Sequence, residues 1–268
     1  MGLAVAKLCA KHGMKVAIAD RNDHTLSLAK KSLSGSDVET YNVDVSEIGQ
    51  MQSLREKVQQ RFGGVDFLML NAGMAERGKS WEDHGYFQRV MATNLFGVIN
   101  GINVFLPAVQ QHAEEKRPTS IVITGSKQGI TNPPGNAAYN ASKAAVVSLA
   151  QQLSYDLRDA PTTVHLLVPG WAFTGLSGNE PGKDAEKPAG AWWPEQVADY
   201  MHQKMGEEDK SGKGKFYIIC PDNDVTWDKD RRRMMWTMGD IVYERQPLSR
   251  WRDEYKQEAE KTMADMKL

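Results

Sequence analysis

The sequence predicts an α/β protein in which helices cover both faces of a doubly wound parallel sheet, giving a three-layer α/β/α architecture. Two observations predict this class. Short apolar segments alternate with segments of helical periodicity along most of the 268 residues. The segments VDFLMLNAG (65–73) and SIVITG (120–125) are almost continuously apolar, as strands buried on both faces are. Strands separated by helices are joined by right-handed crossovers, so we expect a parallel sheet.

The first half of the chain follows this alternation. Residues 3–12 carry a helical apolar stripe and precede Gly13, a residue suited to a helix C-terminus. Residues 14–20 form an apolar strand that ends in an acid. Helical periodicity returns at 24–33 and again at 47–62, and an extended segment at 38–45 lies between these two helices.

The second half continues the pattern. After the strand at 65–73, a long helix is predicted at 86–112, and the strand at 120–125 precedes a helix at 138–158. A further strand is expected at 163–170. The helix at 194–205 begins with proline, whose fixed φ suits a first helical turn. The last predicted strand covers 215–220.

These elements predict one dinucleotide-binding and catalytic domain at residues 1–222 and a helical C-terminal extension at 223–268. Residues 177–190 are rich in glycine, proline and charge, and they follow a strand end, where open α/β sheets bind ligands. We therefore expect a lid at 175–192 rather than a domain boundary. The aromatic extension either closes over the substrate site or joins a subunit interface.

Composition excludes several function classes. The net charge is −1, so neither nucleic acid nor a membrane surface is expected as a partner, and we expect no apolar run long enough to cross a bilayer. The basic run at 228–236 is balanced by neighbouring acids, which favours a solvated helix face or a subunit contact. The six histidines lack metal-binding spacing, so no metal is predicted. Cys9 and Cys220 lack CxxC spacing, which favours free thiols in a reducing, cytoplasmic compartment.

Tyr139 and Lys143 stand four residues apart in YNASK, within a predicted helix. Side chains at this spacing share one helix face. A lysine ammonium beside a phenol favours the phenolate, so we expect Lys143 to lower the pKa of Tyr139. Tyr139 is then a candidate general acid and base for an alcohol oxygen. The pair alone is commonplace, and two surface residues on a helix would satisfy the same spacing.

Other polar residues support an active site around Tyr139. Ser126 follows the strand at 120–125, where a hydroxyl can hydrogen-bond a substrate oxygen. Asn94 lies inside a predicted helix, where asparagine is unfavourable unless it has a local task. The segment PGWAFT (169–174) follows another strand end and supplies a turn and a hydroxyl near the same edge.

These residues resemble the catalytic tetrad of the short-chain dehydrogenase/reductase family, which is Asn, Ser, Tyr and Lys in a YxxxK context; the match falls on Asn94, Ser126, Tyr139 and Lys143. The resemblance runs from Gly2 to about residue 222 and implies a Rossmann-type fold. It assigns cofactor contacts to the NAG segment (Asn71, Ala72, Gly73), to Asp44 with Val45 near the adenine, and to Pro169, Gly170 and Thr174, the last of these at the nicotinamide carboxamide.

The resemblance also implies a mechanism. Hydride passes between nicotinamide and a carbon that bears an alcohol or carbonyl, while Tyr139 transfers the proton. Lys143 lowers the tyrosine pKa and binds the nicotinamide ribose. Ser126 holds the substrate oxygen. Asn94 holds a water that links Lys143 to solvent. The protein's contribution is to preorganise these groups.

Asp20 and Arg21 bear on the choice of cofactor. A carboxylate at the end of the second family strand accepts hydrogen bonds from the adenosine ribose hydroxyls and repels a 2′-phosphate, so Asp20 favours NAD over NADP. Arg21 partly offsets that repulsion. The competing interpretation of Asp20 is a helix-capping or turn residue.

The opening residues raise a separate expectation. Family members begin with a buried strand and a TGxxxGxG loop before the helix that starts here at residue 3, and Gly2 aligns with the last glycine of that loop. The glycines let the backbone approach the pyrophosphate. We therefore expect an upstream segment, and we expect residues 1–268 alone to bind dinucleotide weakly. A short product that folds differently and a non-catalytic relative are the alternatives.

The most consistent function is NAD(P)-dependent oxidation of a secondary alcohol or reduction of a ketone, by a homodimer or homotetramer that pairs its long apolar helices. The alternatives are a non-catalytic dinucleotide-binding scaffold, disabled by the missing loop, and a lyase or epimerase that shows no net NADH production. Aromatic residues flank the expected lid and suit either an apolar substrate pocket or lid anchors: Trp171, Phe173, Trp192 and Trp193.

Overall fold

The computed structural model describes residues 1–81, 83–179, 185–208 and 212–268. Strands and helices alternate through these parts. The strands are β1 (Val16–Asp20), β2 (Val38–Asn42), β3 (Phe67–Leu70), β4 (Ser120–Thr124), β5 (Thr163–Val168) and β6 (Tyr217–Ile219). The helices are α1 (Gly2–Lys11), α2 (Asp23–Ser32), α3 (Ile48–Phe62), α4 (His84–Met91), α5 (Gly97–Glu114), α6 (Gln128–Thr131), α7 (Ala137–Asp156), α8 (Pro194–Met205), α9 (Trp227–Val242) and α10 (Lys256–Asp265).

All described strand pairs are parallel, as the alternation predicts. They form two sheets, one of β1 and β2 and one in the order β3-β4-β5-β6. The central strands β4 and β5 are buried almost throughout, because helices cover both of their faces. The fold is the predicted Rossmann-type α/β architecture, with the carboxyl ends of its strands at one edge.

The break between the two sheets falls between β1 and β3, where the family resemblance places a further strand. Helix α1 packs beside this break. Its residues Ala4 and Val5 are buried with Val122 of β4, and Met1 and Leu8 pack against the same cluster as Phe67 and Met69 of β3. Apolar side chains from α1 therefore cover the inner end of the larger sheet.

The main core lies on the other face of that sheet. It joins residues of α3, α5 and α7 to the strands, and its fully buried members include Val109, Ile121, Val146 and Leu166. Helix α3 contributes Met51, Leu54 and Val58, whose spacing places them on one helical face. This packing holds α7, which carries Tyr139 and Lys143, against β5.

A continuous helical run covers His84–Glu114 and corrects one expectation. By length and mean hydropathy (1.4) alone, this run could cross a membrane, and the expectation that no apolar run is long enough to do so is wrong on these two criteria. The run consists of α4, a π-helical turn at Ala92–Phe96 and α5. Its residues Val90, Val98 and Val109 are buried in the protein interior, as in the core helix of an α/β fold.

Helices α6 and α7 pack so closely that Gly129 has no room for a side chain. A Cβ at Gly129 would lie 2.5 Å from the backbone carbon of Lys143 and 2.7 Å from its oxygen. We expect Gly129→Ala to destabilise the protein by about 1–3 kcal/mol, because backbone must move to accept the methyl group. Denaturant unfolding measures this. Gly49→Ala is the control, since nothing lies within 4 Å of that Cβ, and an equal loss there would contradict the packing argument.

Candidate active site

Helix α7 presents Tyr139 and Lys143 to the carboxyl edge of the larger sheet, and two contacts fix where it begins. The backbone N–H of Ala138 donates to the hydroxyl of buried Tyr86 at 3.0 Å. Asn140 donates from Nδ2 to the Pro133 carbonyl at 2.6 Å. These contacts set the rotation of the first turn and hence the direction of the Tyr139 side chain.

Lys143 is buried beneath this edge. Its Nζ donates to the carbonyl of Thr124, the last residue of β4, at 2.7 Å. The side chain is almost inaccessible, and burial lowers the pKa of Lys143 to about 8. The ammonium lies 5.9 Å from the centroid of the Tyr139 ring. The hydrogen bond to the Thr124 carbonyl thus holds the positive charge of Lys143 close to the phenol of Tyr139.

Tyr139 and Ser126 interact through their side chains. Burial raises the pKa of Tyr139 above its ordinary value, and the interaction with Ser126 only partly offsets this effect. The expected lowering of the Tyr139 pKa by Lys143 is therefore wrong for this arrangement. The physical reason is desolvation, which disfavours a phenolate and outweighs the other influences on the group.

Asn94 lies fully buried in the π-helical turn between α4 and α5. Its Oδ1 accepts from the Met74 N–H at 2.8 Å, and its Nδ2 donates to the Met74 carbonyl and to Ser142 Oγ, both at 3.0 Å. Both amide hydrogens are thus used in fixing the loop after β3 and helix α7. This explains an asparagine inside a helix, while the water relay implied by the resemblance stays a prediction.

The NAG segment lies beside these groups. A Cβ at Gly73 would lie 3.4 Å from Asn94 Oδ1 and 3.7 Å from Lys143 Nζ. Asn71 Oδ1 accepts from the Thr124 hydroxyl at 3.3 Å, and a Cβ at Gly2 would lie 3.0 Å from Asn71 Nδ2. The start of α1, the end of β3 and the end of β4 therefore meet at one place. Ala72 is exposed there.

Asp20 and Asp44 lie at the carboxyl edge of the smaller sheet. Asp20 is exposed and accepts from the Asn22 N–H through Oδ1 at 3.0 Å, while Asn22 itself caps α2. Asp44 accepts from the Ser46 hydroxyl at 2.7 Å and N–H at 3.0 Å. These bonds, with a smaller effect from the charge of Arg21, hold the pKa of Asp44 below its usual range. The carbonyl of Val45 accepts from Asn100 Nδ2.

The proline-glycine segment follows β5. Pro169 is buried, and a Cβ at Gly170 would lie 2.9 Å from Lys127 Nζ. Thr174 caps the short turn at Gly175–Ser177, where its N–H donates to Ser177 Oγ at 2.8 Å. The structure therefore brings Gly170 to the loop of Ser126, and it uses Thr174 locally, while its nicotinamide contact stays a prediction.

Lys127 forms an ion pair that was not predicted from the sequence. Its Nζ lies 2.5 Å from Asp230 Oδ2 in α9 and 3.6 Å from Asp222 Oδ2. Asp230 is buried, and burial raises its pKa even though Lys127 opposes this shift. The pair fastens the C-terminal extension to the loop that carries Ser126. A lysine three residues after the buried strand β4 is unusual enough to be noticed in the sequence. Its partner Asp230 could not be found in this way, because it is remote in sequence.

The expected lid lies partly outside the described residues, since 180–184 belong to it. Its later part is held to the chain after β6, where Asn223 Nδ2 donates to the Ala189 carbonyl at 2.6 Å and Asn223 N–H donates to Gly190 at 3.0 Å. Phe173 is buried and meets the Trp193 ring edge-on at 5.9 Å between centroids. Phe173 and Trp193 therefore pack together beside the expected lid, while a substrate-pocket role for the flanking aromatics and movement of a lid stay predictions.

Both cysteines are free thiols, as predicted. Across residues 1–81, 83–179, 185–208 and 212–268, no group of three or more His, Cys, Asp or Glu side chains is placed to hold a metal ion.

Fold and site together define a dinucleotide-binding α/β protein with a Tyr-Lys pair at the sheet edge. A family model described as short chain dehydrogenase matches residues 1–184. The chain belongs to the short-chain dehydrogenase/reductase family, an oxidoreductase family.

Known relatives agree with this assignment. The NADP-dependent mannitol dehydrogenase of Alternaria alternata is 34% identical over 184 residues, 66% of this chain and 67% of that protein. A CLA biosynthesis dehydrogenase/reductase of Lactiplantibacillus plantarum is 28% identical over 190 residues, 69% of this chain and 65% of that protein. The chain thus spans about two thirds of the length of these relatives. A Burkholderia phymatum short-chain dehydrogenase/reductase, solved in complex with NAD, aligns with a TM-score of 0.78 at 28% identity and 92% coverage of both chains.

Proposed function

We propose that this protein is an NAD(P)-dependent oxidoreductase that interconverts a secondary alcohol and a ketone. The observation that carries the proposal is the grouping at one sheet edge of Tyr139 with Ser126, which influences its pKa, and with the Lys143 ammonium, 5.9 Å from the centroid of the tyrosine ring. One hydroxyl can hold a substrate oxygen while the other exchanges a proton with it. Tyr139 and Lys143 are buried and Ser126 is half-buried, which limits competition from water.

The residues at the sheet edge fit a nicotinamide cofactor. Gly73 leaves space beside Lys143 and Asn94 that a side chain would fill, and Gly2 does the same at the start of α1. Asp20 keeps its Oδ2 available for ribose hydroxyls, since only Oδ1 is used in the local turn. Lys143 would hold the nicotinamide ribose, and Thr174 would contact the carboxamide. When bound, the cofactor supplies or accepts the hydride.

The proton chemistry follows from the pKa directions. Because burial raises the pKa of Tyr139, this phenol is protonated at neutral pH and is set to donate its proton to a carbonyl oxygen. Ser126 orients that oxygen. Lys143 keeps positive charge near the phenol as the proton leaves, which limits the cost of the phenolate in a buried site. The protonated phenol is thus the form that serves ketone reduction, and the same groups serve alcohol oxidation in reverse.

A direct test uses NADH and NADPH with a panel of ketones, and NAD and NADP with the matching alcohols, followed by absorbance of the reduced cofactor. Energy transfer from tryptophan to bound NADH reports binding separately. We expect turnover of at least one ketone class, together with weak cofactor binding by residues 1–268 alone. Tight binding without turnover across the panel would contradict the oxidoreductase proposal.

Cofactor preference is expected to depend on Asp20. Asp20→Asn keeps the acceptor used by Asn22 and removes the charge that repels a 2′-phosphate. We expect the ratio of kcat/KM with NADH to kcat/KM with NADPH to fall about tenfold, equivalent to about 1.4 kcal/mol. Asp23→Asn is the matched control, because Asp23 lies nearby at the start of α2 and is bound to Asn42. An unchanged ratio in Asp20→Asn would remove Asp20 from cofactor selection.

The remaining assignments are also proposals. We infer a small alcohol or ketone as the partner of the site, and a homodimer or homotetramer formed by α5 and α7, which keep half-exposed apolar residues such as Leu106 and Val147. Light scattering after size exclusion tests this assembly.

We place the protein in the cytoplasm, a proposal supported by its two free thiols.

A further inference from the structure

A cavity of about 730 Å³ lies in the C-terminal extension, away from the tetrad. It is enclosed by α9, by the segment 250–253 and by α10. Basic side chains dominate its walls, and they are Lys229, Arg232, Arg233, Arg250, Arg252 and Lys256. The acidic residues of the wall are fewer, and they are Asp228, Asp253 and Glu260. The cavity therefore carries an excess of positive charge in a chain whose net charge is −1.

Ion pairs neutralise only part of this charge. Arg232 Nε donates to Asp228 at 2.7 Å, and Arg252 lies 3.8 Å from Glu254. Outside the cavity, Arg231 also donates to Asp228, at 3.0 Å. Within the described parts of the chain, neither Arg233 nor Arg250 has a carboxylate within 4 Å. Two guanidinium groups thus face the cavity without a counter-ion.

These two groups also act on each other. Both are half-buried, and burial together with the smaller effect of the positive charge of Arg233 lowers the pKa of Arg250 to about 10. Asp230 is the nearby acid that opposes this effect, but its Oδ2 is already 2.5 Å from Lys127. Like charges placed together in a partly desolvated wall repel each other, and an anion between them would remove that repulsion.

We propose that this cavity binds an oxoanion, of the phosphate, sulfonate or carboxylate type, between the guanidinium groups of Arg233 and Arg250. The planar fork of each guanidinium matches the paired oxygens of such groups. The oxoanion belongs either to a free ion or to the far end of the alcohol or ketone substrate, and this second source rests on the proposed function. The cavity is connected to the active-site loop through one ion pair, because Arg233 lies one helical turn after Asp230, the partner of Lys127 beside Ser126.

The first experiment measures thermal unfolding of the whole chain with inorganic phosphate against chloride at equal ionic strength. At phosphate about five times Kd, we expect the Tm to rise by about 2–4 °C. Arg233→Met and Arg250→Met should each lose this rise. Without phosphate, Arg233→Met should keep or raise the Tm, because it relieves the repulsion from Arg250. Arg231→Met removes the same charge from the same helix outside the cavity, and it should keep the phosphate response.

Absence of a phosphate response in the wild-type protein, or an equal response in Arg233→Met, would overturn the proposal. The second experiment separates the two sources of the anion. It compares oxidation of 11-hydroxydodecanoate, whose carboxylate lies at the far end of a long chain, with oxidation of 2-dodecanol, which lacks the carboxylate. If the anion belongs to the substrate, Arg233→Met should lower kcat/KM about tenfold or more for 11-hydroxydodecanoate alone. Phosphate binding without this selective loss assigns the site to a free anion. Failure to turn over either alcohol would count against the proposed function and leave the phosphate result to decide the site.

Discussion

Replacing Tyr139 by phenylalanine is expected to reduce turnover about 10²–10⁴-fold, the usual contribution of a positioned general acid or base. The change removes one oxygen and keeps the ring that packs with Tyr86 and Val90. Binding of NADH, measured by tryptophan energy transfer, and the Tm should change little. Loss of kcat with retained binding would identify Tyr139 as the group that moves the proton.

Tyr155→Phe is the matched control for this variant. Tyr155 lies on the same helix but is exposed, with 64% of its surface accessible, and it contacts Arg158 rather than the active site. We expect full activity there. If Tyr139→Phe retains more than about a tenth of wild-type turnover, the proton must come from another group, since general acid catalysis normally contributes far more.

Replacing Lys143 by methionine is expected to raise the free energy of unfolding and, at the same time, to lower turnover strongly. A fully buried ammonium whose pKa falls from 10.5 to about 8 costs the folded state about 3 kcal/mol at neutral pH. Methionine has a similar shape without the charge. Because the Thr124 carbonyl then loses its donor, we expect a net gain of about 1–2 kcal/mol in the free energy of unfolding. Turnover should fall about 10²–10³-fold with the loss of this charge.

The pH dependence of that gain identifies its cause. Between about pH 8 and 10.5 the unfolded chain binds more protons at Lys143 than the folded chain, so wild-type stability rises with pH across this window as far as this group is concerned. The advantage of Lys143→Met should therefore be full below pH 8 and shrink towards pH 10.5. Urea unfolding at pH 7 and pH 10 measures the difference. The same charge change in Lys7→Met, at an exposed position of α1, should show no such trend.

Much of the fold could be predicted because its helices and strands carry strong local signals. Helix α8 has the predicted bounds, since proline marks its start and glycine follows its end. Strand ends were harder to predict. The apolar run at 65–73 yields a strand only at Phe67–Leu70, because Asn71 bonds across to Thr124 at the edge of the sheet. The run at 38–45 ends as a strand at Asn42, because Asp44 turns the chain through Ser46.

The candidate site was predictable where chemistry and spacing coincide, as at Tyr139 and Lys143. It was not predictable where the result depends on burial or on contacts between residues that are distant in sequence. The tyrosine pKa depends on burial, which spacing along a helix does not reveal. The π-helical turn around Asn94 depends on contacts with Met74 and Ser142, which lie 20 and 48 residues away. The pairing of Lys127 with Asp230 joins two regions that local sequence patterns treat as separate.

For residues 1–268 taken alone, the division of the strands into two sheets has a consequence for local fluctuations. No hydrogen-bond ladder connects β1 to β3, so the pair of β1 and β2 is joined to the larger sheet through side-chain packing, for example by Ala19 and Val43. Local opening of this pair breaks no bond in β4 or β5. Amide hydrogens of β1 should therefore exchange with solvent faster than those of β4. Since Asp20 ends β1, such opening would release the ribose-selecting carboxylate while Tyr139 and Lys143 stay in place.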